Sequence, residues 1–486
     1  MARSRRVQPG SLLSLLVPGA VLLGACGNAS PHARALPPLA EALVESPQVA
    51  RPAAVDEPSA RAPEPLEPPS NAPFLEHPEA LHRFFAALSE LEQSQRSDDV
   101  RVLQFGDSHT AADYQTGPLR RALQHRFGDG GRGFVSVGRP WKFYTQEGIH
   151  ANGMTGWSPE RGHYARGEFN GDGEYGLVGV SIRAREQGAR AYTDFAAPSS
   201  RLELAYLEAP RAGSFDVFVD AQRIQRVRTD GPTLKAAHVA IDVENGPHRV
   251  ELVARGDGDV RVFGLTLDSP KLGVTLDALG VNGARVCDLL RTNEDHFQDE
   301  LRHRDPSLVV LAYGTNESGD DTPLATYERQ MVLVLGRIAR AVPTASCLIL
   351  GPPDRAEKRR LVVPAGQASA ASSVQTVWTT MPRLREIADL VRRVATAAGC
   401  AYYSQLDAMG GAGSIAGWAL ESPPRAMLDR VHLSRQGYAE LGDALAHDLI
   451  AAYDSYRAAG ALKPTLPLPL PARPPAGSAD VAFDGR

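Results

Sequence analysis

The sequence predicts an α/β protein whose parallel sheet is interrupted by an inserted antiparallel β domain. Short apolar runs alternate with helical patterns over 76–137 and again over 273–458. Strands alternating with helices imply a parallel sheet with short connections. Between them, over 138–272, runs such as 214–220, 248–254 and 260–267 alternate apolar and polar residues with period two, separated by Gly, Asp, Asn and Pro. No long helical pattern intervenes, which suggests an antiparallel sandwich. The α/β texture resumes at Val274, so the β block is an insertion and not an appended domain.

Composition narrows the class of partner. Of the 486 residues, 43% are hydrophobic and 22% charged, as in a globular protein, and the net charge of −5 is mild. No basic stripe with interleaved aromatics offers itself to a nucleic acid. The globular part holds no apolar run long enough to span a membrane.

The chain begins with a processing signal. Arg3, Arg5 and Arg6 precede an apolar stretch over 12–23, which leads into Leu23-Gly24-Ala25-Cys26. Small residues directly before a cysteine resemble a bacterial lipobox, so residues 1–26 read as a lipoprotein signal peptide with Cys26 lipidated. Ordinary secretory cleavage beside an incidental cysteine is the alternative. Gly27, where an aspartate would mark inner-membrane retention, suggests a periplasmic lipoprotein anchored in the outer membrane. Residues 27–75, rich in Pro, Ala and Glu, cannot bury enough surface to offset their ordering entropy and read as a disordered tether.

The elements follow in order. A helix over 78–95 leads into the strand Val102-Leu-Gln-Phe105, which ends in Gly106-Asp107-Ser108. Leu119, Ala122, Leu123 and Phe127 recur at helical spacing, and Gly128 sits where that helix would stop. Beyond the insertion, Leu308-Val-Val-Leu-Ala312 is a buried-strand run ending at Tyr313-Gly314-Thr315-Asn316. A helix over 327–342, a strand at 347–350, a helix over 384–398 and a strand at 401–403 come next. The last helix runs over 434–453 with Ser434 as its N-cap, and the Pro-rich tail over 459–486 reads as disordered. Of the cysteines Cys287, Cys347 and Cys400, the last two each open a strand, so a disulfide between neighbouring strands is one pairing; the pairing stays open. No Cys/His spacing resembles a metal site, and nothing points to a cofactor.

A serine at a strand's end and a helix's start lies where open α/β sheets bind ligands, and where free N–H groups stabilise negative charge. Gly-Asp-Ser alone reads more readily as an N-capping serine than as a nucleophile. As a nucleophile, a serine hydroxyl needs an adjacent base, and a histidine serves if a carboxylate fixes its tautomer. Asp429-Arg430-Val431-His432 supplies both from one loop before the final helix, although a local salt bridge would look the same. The tetrahedral oxyanion needs donors, and three candidates lie at strand ends: the N–H of Ser108, the N–H of Gly283 in Gly280-Val-Asn-Gly283, and the side chain of Asn316.

Order and spacing decide between these readings. Gly-Asp-Ser, then Gly283, then Gly-Thr-Asn, then Asp-x-x-His resemble the four blocks of the SGNH/GDSL hydrolases, and no Gly-x-Ser-x-Gly elbow of the ordinary α/β-hydrolases is present. The resemblance covers roughly 76–137 and 273–458. It implies a three-layer, flavodoxin-like fold, with Ser108 as nucleophile, Gly283 and Asn316 as oxyanion donors beside the Ser108 N–H, Asp429 as orienter and His432 as base. Phe127-Gly-Asp-Gly-Gly-Arg-Gly-Phe134, Gly280-Val-Asn-Gly-Ala284 and 408–415 look like the exported branch that deacetylates envelope polysaccharides. In its peptidoglycan O-acetylesterases a carbohydrate-binding-like, jelly-roll-type β domain occupies the same position.

The expected function is therefore a serine esterase acting on O-acetylated polysaccharide, peptidoglycan first, without cofactor. A polysaccharide O-acetyltransferase with the same triad, or a carbohydrate-binding lipoprotein with vestigial residues, are the alternatives. Trp141, Tyr144 and Trp157 read equally as core or as sugar platforms, and His109 as a neighbour supporting the site from behind.

Overall fold

A computed structural model describes residues 72–162, 171–363 and 373–460. The lipobox, nearly all of the proposed tether and the Pro-rich tail lie outside the described residues.

Six strands form the first sheet: β1 (Leu75–Glu76), β2 (Val100–Gly106), β3 (Val274–Gly280), β4 (Leu308–Ala312), β5 (Ser346–Gly351) and β6 (Ala401–Ser404). Their spatial order is β1-β6-β5-β4-β2-β3, with every pair parallel except β1 against β6. Taking the five parallel strands in chain order, this is the flavodoxin-like 2-1-3-4-5 arrangement, whose direction reverses between β2 and β4. Val102, Leu103, Phe105, Val310 and Leu311 are buried on both faces of the sheet, so these strands read as continuous apolar runs and not as alternations.

Helices cover the two faces. On one lie α1 (His82–Glu92), α2 (Thr116–Phe127) and α6 (Arg435–Ala458), whose Phe84, Leu123 and Leu449 pack with Val102 and Leu348. On the other lie α3 (Glu294–Arg304), α4 (Leu324–Ala341) and α5 (Pro382–Ala398), whose Phe297, Met331 and Val391 pack with Leu103 and Ile349. Gly128 ends α2 at φ +102, as expected, and the Ser434 hydroxyl caps α6 by accepting the Gly437 N–H. Cys347 and Cys400 form a disulfide between β5 and the residue preceding β6, and Cys287 is buried outside any disulfide.

Among the described residues the inserted region's named strands all pair antiparallel, and nine of them hydrogen-bond as one sheet. Its longest strands, Arg190–Glu208 and Lys235–Ala254, run against each other with register shifts near Gly246. Arg190–Glu208 changes neighbours midway: residues 190–195 pair with Ile149–Thr155 and residues 201–206 with Val260–Asp268. Such exchanges let one sheet fold over a core, here Trp157, Leu204, Phe215, Leu252 and Val262.

Two placements differ from the sequence reading. Leu75, assigned to the tether, forms with Glu76 the sheet's antiparallel edge and is buried against β6. Gly131–Val135, assigned with the α/β segment, pairs with Val260–Asp268 inside the antiparallel sheet. In both cases tertiary pairing decides what a two- or five-residue run cannot.

The β domain seats on α3. His238 Nε2 lies 2.9 Å from Glu300, His303 Nε2 lies 2.9 Å from Glu203, and His296 Nδ1 lies 3.1 Å from Glu174. His296, Glu300 and His303 recur at helical spacing, so one face of α3 makes all three contacts.

Candidate active site

β2, β3 and β4 end side by side, with Gly106 opposite Gly280 on one flank and Ala312 on the other. The loops carrying Ser108, Gly283 and Asn316 therefore leave the sheet at one level, at the point where strand order reverses. Ser108 opens a single helical turn, Ser108–Ala111, capped by Asp107, whose Oδ1 accepts the His109 N–H at 2.9 Å. That turn lies directly against the sheet. A Cβ on Gly106 would collide with the Thr110 side chain, and one on Gly280 with the Ala111 backbone. Glycine at both strand ends is what lets Ser108 sit this close.

Ser108 Oγ lies 2.9 Å from His432 Nε2, and His432 Nδ1 lies 2.8 Å from Asp429 Oδ2. With Nδ1 protonated and donating to the carboxylate, Nε2 presents its lone pair to the serine hydroxyl. Asp429 Oδ1 accepts the N–H groups of Val431 and His432 at 2.9 and 3.0 Å, which folds the turn back on itself. Burial alone would raise the Asp429 carboxyl, but the His432 ring and these two N–H groups outweigh it and hold it below the usual range. The same Asp429 hydrogen bond lifts His432 above the ordinary imidazole value against partial burial.

On the opposite side of Ser108, Asn316 Nδ2 donates to the Ala284 carbonyl at 2.9 Å and lies 3.5 Å from Asp107 Oδ2. Gly283, at φ +81, immediately precedes that carbonyl. The amide of Asn316, the Gly283 loop and the Gly-Asp-Ser turn are thus brought together. Asp107 is buried, and burial raises its carboxyl to about 6.

Several neighbours were not singled out by the sequence. Glu317 is buried beside Asn316 and accepts the N–H groups of Val286 and Gly314. Burial pushes its carboxyl up to about 8 against the Val286 bond. Arg285 donates to the Gly283 carbonyl and pairs with buried Asp320. His109, which the sequence does place behind the site, lies beneath His432, its ring stacked at 5.6 Å and its Nδ1 3.0 Å from the Tyr438 hydroxyl. Burial, with His432 adding to it, lowers His109 to about 3, so it is neutral when His432 titrates.

A hairpin of Ala356–Val363 and Ser373–Thr380 braces the Asp429–His432 turn. Its Ala356 N–H donates to the Arg430 carbonyl at 3.0 Å, and the Arg430 guanidinium lies 4.4 Å from the Trp378 ring centre.

Trp141, Tyr144 and Trp157 are all core residues, between 3% and 6% exposed. Trp141 also donates its Nε1–H to Asn282 at 3.0 Å, tying the start of the β domain to the Gly283 loop.

Residues 260–440 match the model of the GDSL-like lipase/acylhydrolase family. That span contains Gly283, Asn316, Asp429 and His432, while Ser108 precedes the insertion. Among solved structures, the chain is similar to a peptidoglycan O-acetylesterase at 24% identity, covering 77% of this chain and 96% of that one with a TM-score of 0.62, which establishes the shared fold. A family two carbohydrate esterase from Clostridium thermocellum in complex with cellohexaose is matched at 11% identity over 58% of this chain and 96% of that one, with a TM-score of 0.24. An acetyl xylan esterase is matched at 17% identity over 36% of this chain and 80% of that one, with a TM-score of 0.25. No curated protein matches the chain.

Proposed function

Because this chain carries a GDSL-like lipase/acylhydrolase domain, we propose that it is a serine esterase releasing acetyl groups from an O-acetylated polysaccharide, peptidoglycan first. The observation that carries this reading is the hydrogen-bonded line Ser108–His432–Asp429 facing Asn316 across the end of β2. Ser108 Oγ attacks the acetyl carbonyl while His432 Nε2 takes its proton. The carbonyl oxygen gains the negative charge, which the Ser108 and Gly283 N–H groups and the Asn316 amide receive. His432 then gives its proton to the sugar oxygen, the C–O bond breaks, and acetyl-Ser108 remains. Water, deprotonated by His432, attacks that ester; acetate leaves and the serine recovers its proton. Asp429 holds the imidazole tautomer and supports its positive form throughout.

The likeness to a peptidoglycan O-acetylesterase supports the choice of polymer, and the inserted β domain is read as its carbohydrate-facing partner. Lipidation at Cys26, a tether over 27–75 and an outer-membrane, periplasmic location complete the proposal on the sequence alone. The test compares acetate release from acetylated peptidoglycan, acetylated xylan and an aryl acetate by the protein and by Ser108→Ala. Loss on the order of 10⁶-fold in a folded variant is expected. Undiminished release would sink the assignment. Acetate that appears only when no oligosaccharide acceptor is present would instead identify a transferase.

A further inference from the structure

Two of the three donors assigned to the oxyanion, Gly283 and Asn316, sit on separate loops, one after β3 and one after β4, and neither loop is held by the sheet's own ladder. One side chain joins them. Glu317 Oε1 accepts the Val286 N–H at 2.9 Å, and Glu317 Oε2 accepts the Gly314 N–H at 3.0 Å. Val286 lies three residues beyond Gly283, and Gly314 two residues before Asn316. Both N–H groups are at the sheet's end, so without Glu317 each would be left without that acceptor in a buried place. Glu317 itself is only 3% exposed. A carboxyl group so deeply placed is costly unless its oxygens are satisfied, and here each oxygen meets one backbone N–H.

Arg285 works on the same loop from the other direction. Its Nη1 donates to the Gly283 carbonyl at 3.0 Å, and its Nη2 donates to Asp320 Oδ1 at 2.7 Å. Asp320 follows Asn316 by four residues, on the far side of the short turn Glu317–Gly319. The Gly283 loop is thus fastened to the Asn316 loop twice, through Glu317 and through Arg285. The Asn316 amide bond to Ala284 is the third link, and the only one that uses an oxyanion donor itself.

We propose that Glu317, with Arg285, is a positioning residue that sets the spacing between the Gly283 N–H and the Asn316 amide. This rests on the esterase reading above. Neither residue touches substrate; both act through the donors. The chemistry of the side chain matters as much as its length. Gln has one acceptor where Glu has two, so Glu317→Gln leaves either Val286 or Gly314 facing an amide NH₂. A displacement of about 1 Å in such a frame is worth about 10² in rate.

The experiment measures kcat and KM on an aryl acetate for the full chain and for Glu317→Gln, Asn316→Ala and the double variant, each checked by thermal melting. The expected result is a fall in kcat of about 10²-fold for Glu317→Gln with KM changed less than about threefold. The double variant should be no slower than Asn316→Ala within about threefold, because the residue acts through a donor already removed. Wild-type kcat in Glu317→Gln, or losses that multiply in the double variant, would overturn the proposal. Should Glu317→Gln not fold, Arg285→Lys carries the same expectations and the same refutation. An inactive wild type would instead refute the esterase reading, so the two failures are distinct.

Discussion

The proposed nucleophile and oxyanion donors issue from strand ends in a buried sheet, whereas the proposed acid–base pair comes from one turn half in solvent. On the first side, Asp107 and Glu317 are 1% and 3% exposed; Asp107 accepts the His109 N–H of its own turn, and Glu317 accepts the Val286 N–H from the loop after β3. On the second, the side chains of Asp429 and His432 are 49% and 42% exposed, and apart from the His432 bond to Ser108 the bonds that shape the turn stay within four residues. The sheet side depends on strands far apart in sequence keeping register. The turn side depends on a local fold supported from below by His109 and laterally by the hairpin. Damage should therefore spread differently on the two sides.

Asp429→Asn tests the turn side most severely. It should lower kcat on the order of 10⁴-fold, since the wrong tautomer is then favoured, while KM on a small ester barely moves. A loss under tenfold would mean that the turn tolerates the change and that the carboxylate is dispensable. The same variant carries a pH signature. Asp429 raises His432, so the acid limb of kcat/KM in the wild type should lie above the ordinary imidazole value near 6.5. Removing the anion lowers the pKa of the base, so the residual activity of Asp429→Asn should persist to lower pH. A limb that stays put would show that another group sets it.

Asn316→Ala should cost about 10²- to 10³-fold in kcat as one oxyanion donor is lost. On the sheet side it should also loosen the Gly283 loop, since the Ala284 carbonyl loses its partner. Equal kcat for variant and wild type would remove Asn316 from the site.

The smallest effect is expected at the brace. Trp378→Ala removes the ring over which Arg430 lies, and should reduce kcat about fivefold. A loss as large as that of Asp429→Asn would mean that the turn does not hold itself and that the two sides are equally dependent on distant support.

The same division decides what could be read from sequence. The strands of the parallel sheet are continuous apolar runs, and the Gly-Asp-Ser, Gly283, Gly-Thr-Asn and Asp-x-x-His segments each keep their chemistry within a few residues. Those signals survive without knowledge of contacts. Glu317 carries no such signal, because its role comes from Val286 across a loop boundary. The paired strands 356–363 and 373–380 include the run Leu361-Val-Val, but no Asn-Gly in the sequence signals them, and the reading does not place them. Nor does it place α3, whose Glu-Asp-His-Phe-Gln-Asp-Glu-Leu run is too polar to show an apolar stripe. Whether Trp141, Tyr144 and Trp157 face a core or a ligand is decided only by tertiary packing, so period-two alternation leaves it undetermined.

The insertion has a kinetic consequence. β2 is flanked by β3 and β4, so it has neither neighbour among the residues that precede it or follow it closely. Joining β2 to β3 without help would close a loop of about 170 residues. The insert's first and last strands, Gly131–Val135 and Val260–Asp268, pair with each other, and Asp129 bridges to Val274 at the entry to β3. Once the insert has folded, the chain still to be closed shrinks to about 25 residues, lowering the closure entropy by about 2 kcal/mol. A domain placed between nucleophile and base thus serves as a clip. It brings β3 to the edge of β2, so closing the sheet costs less once the insert has folded.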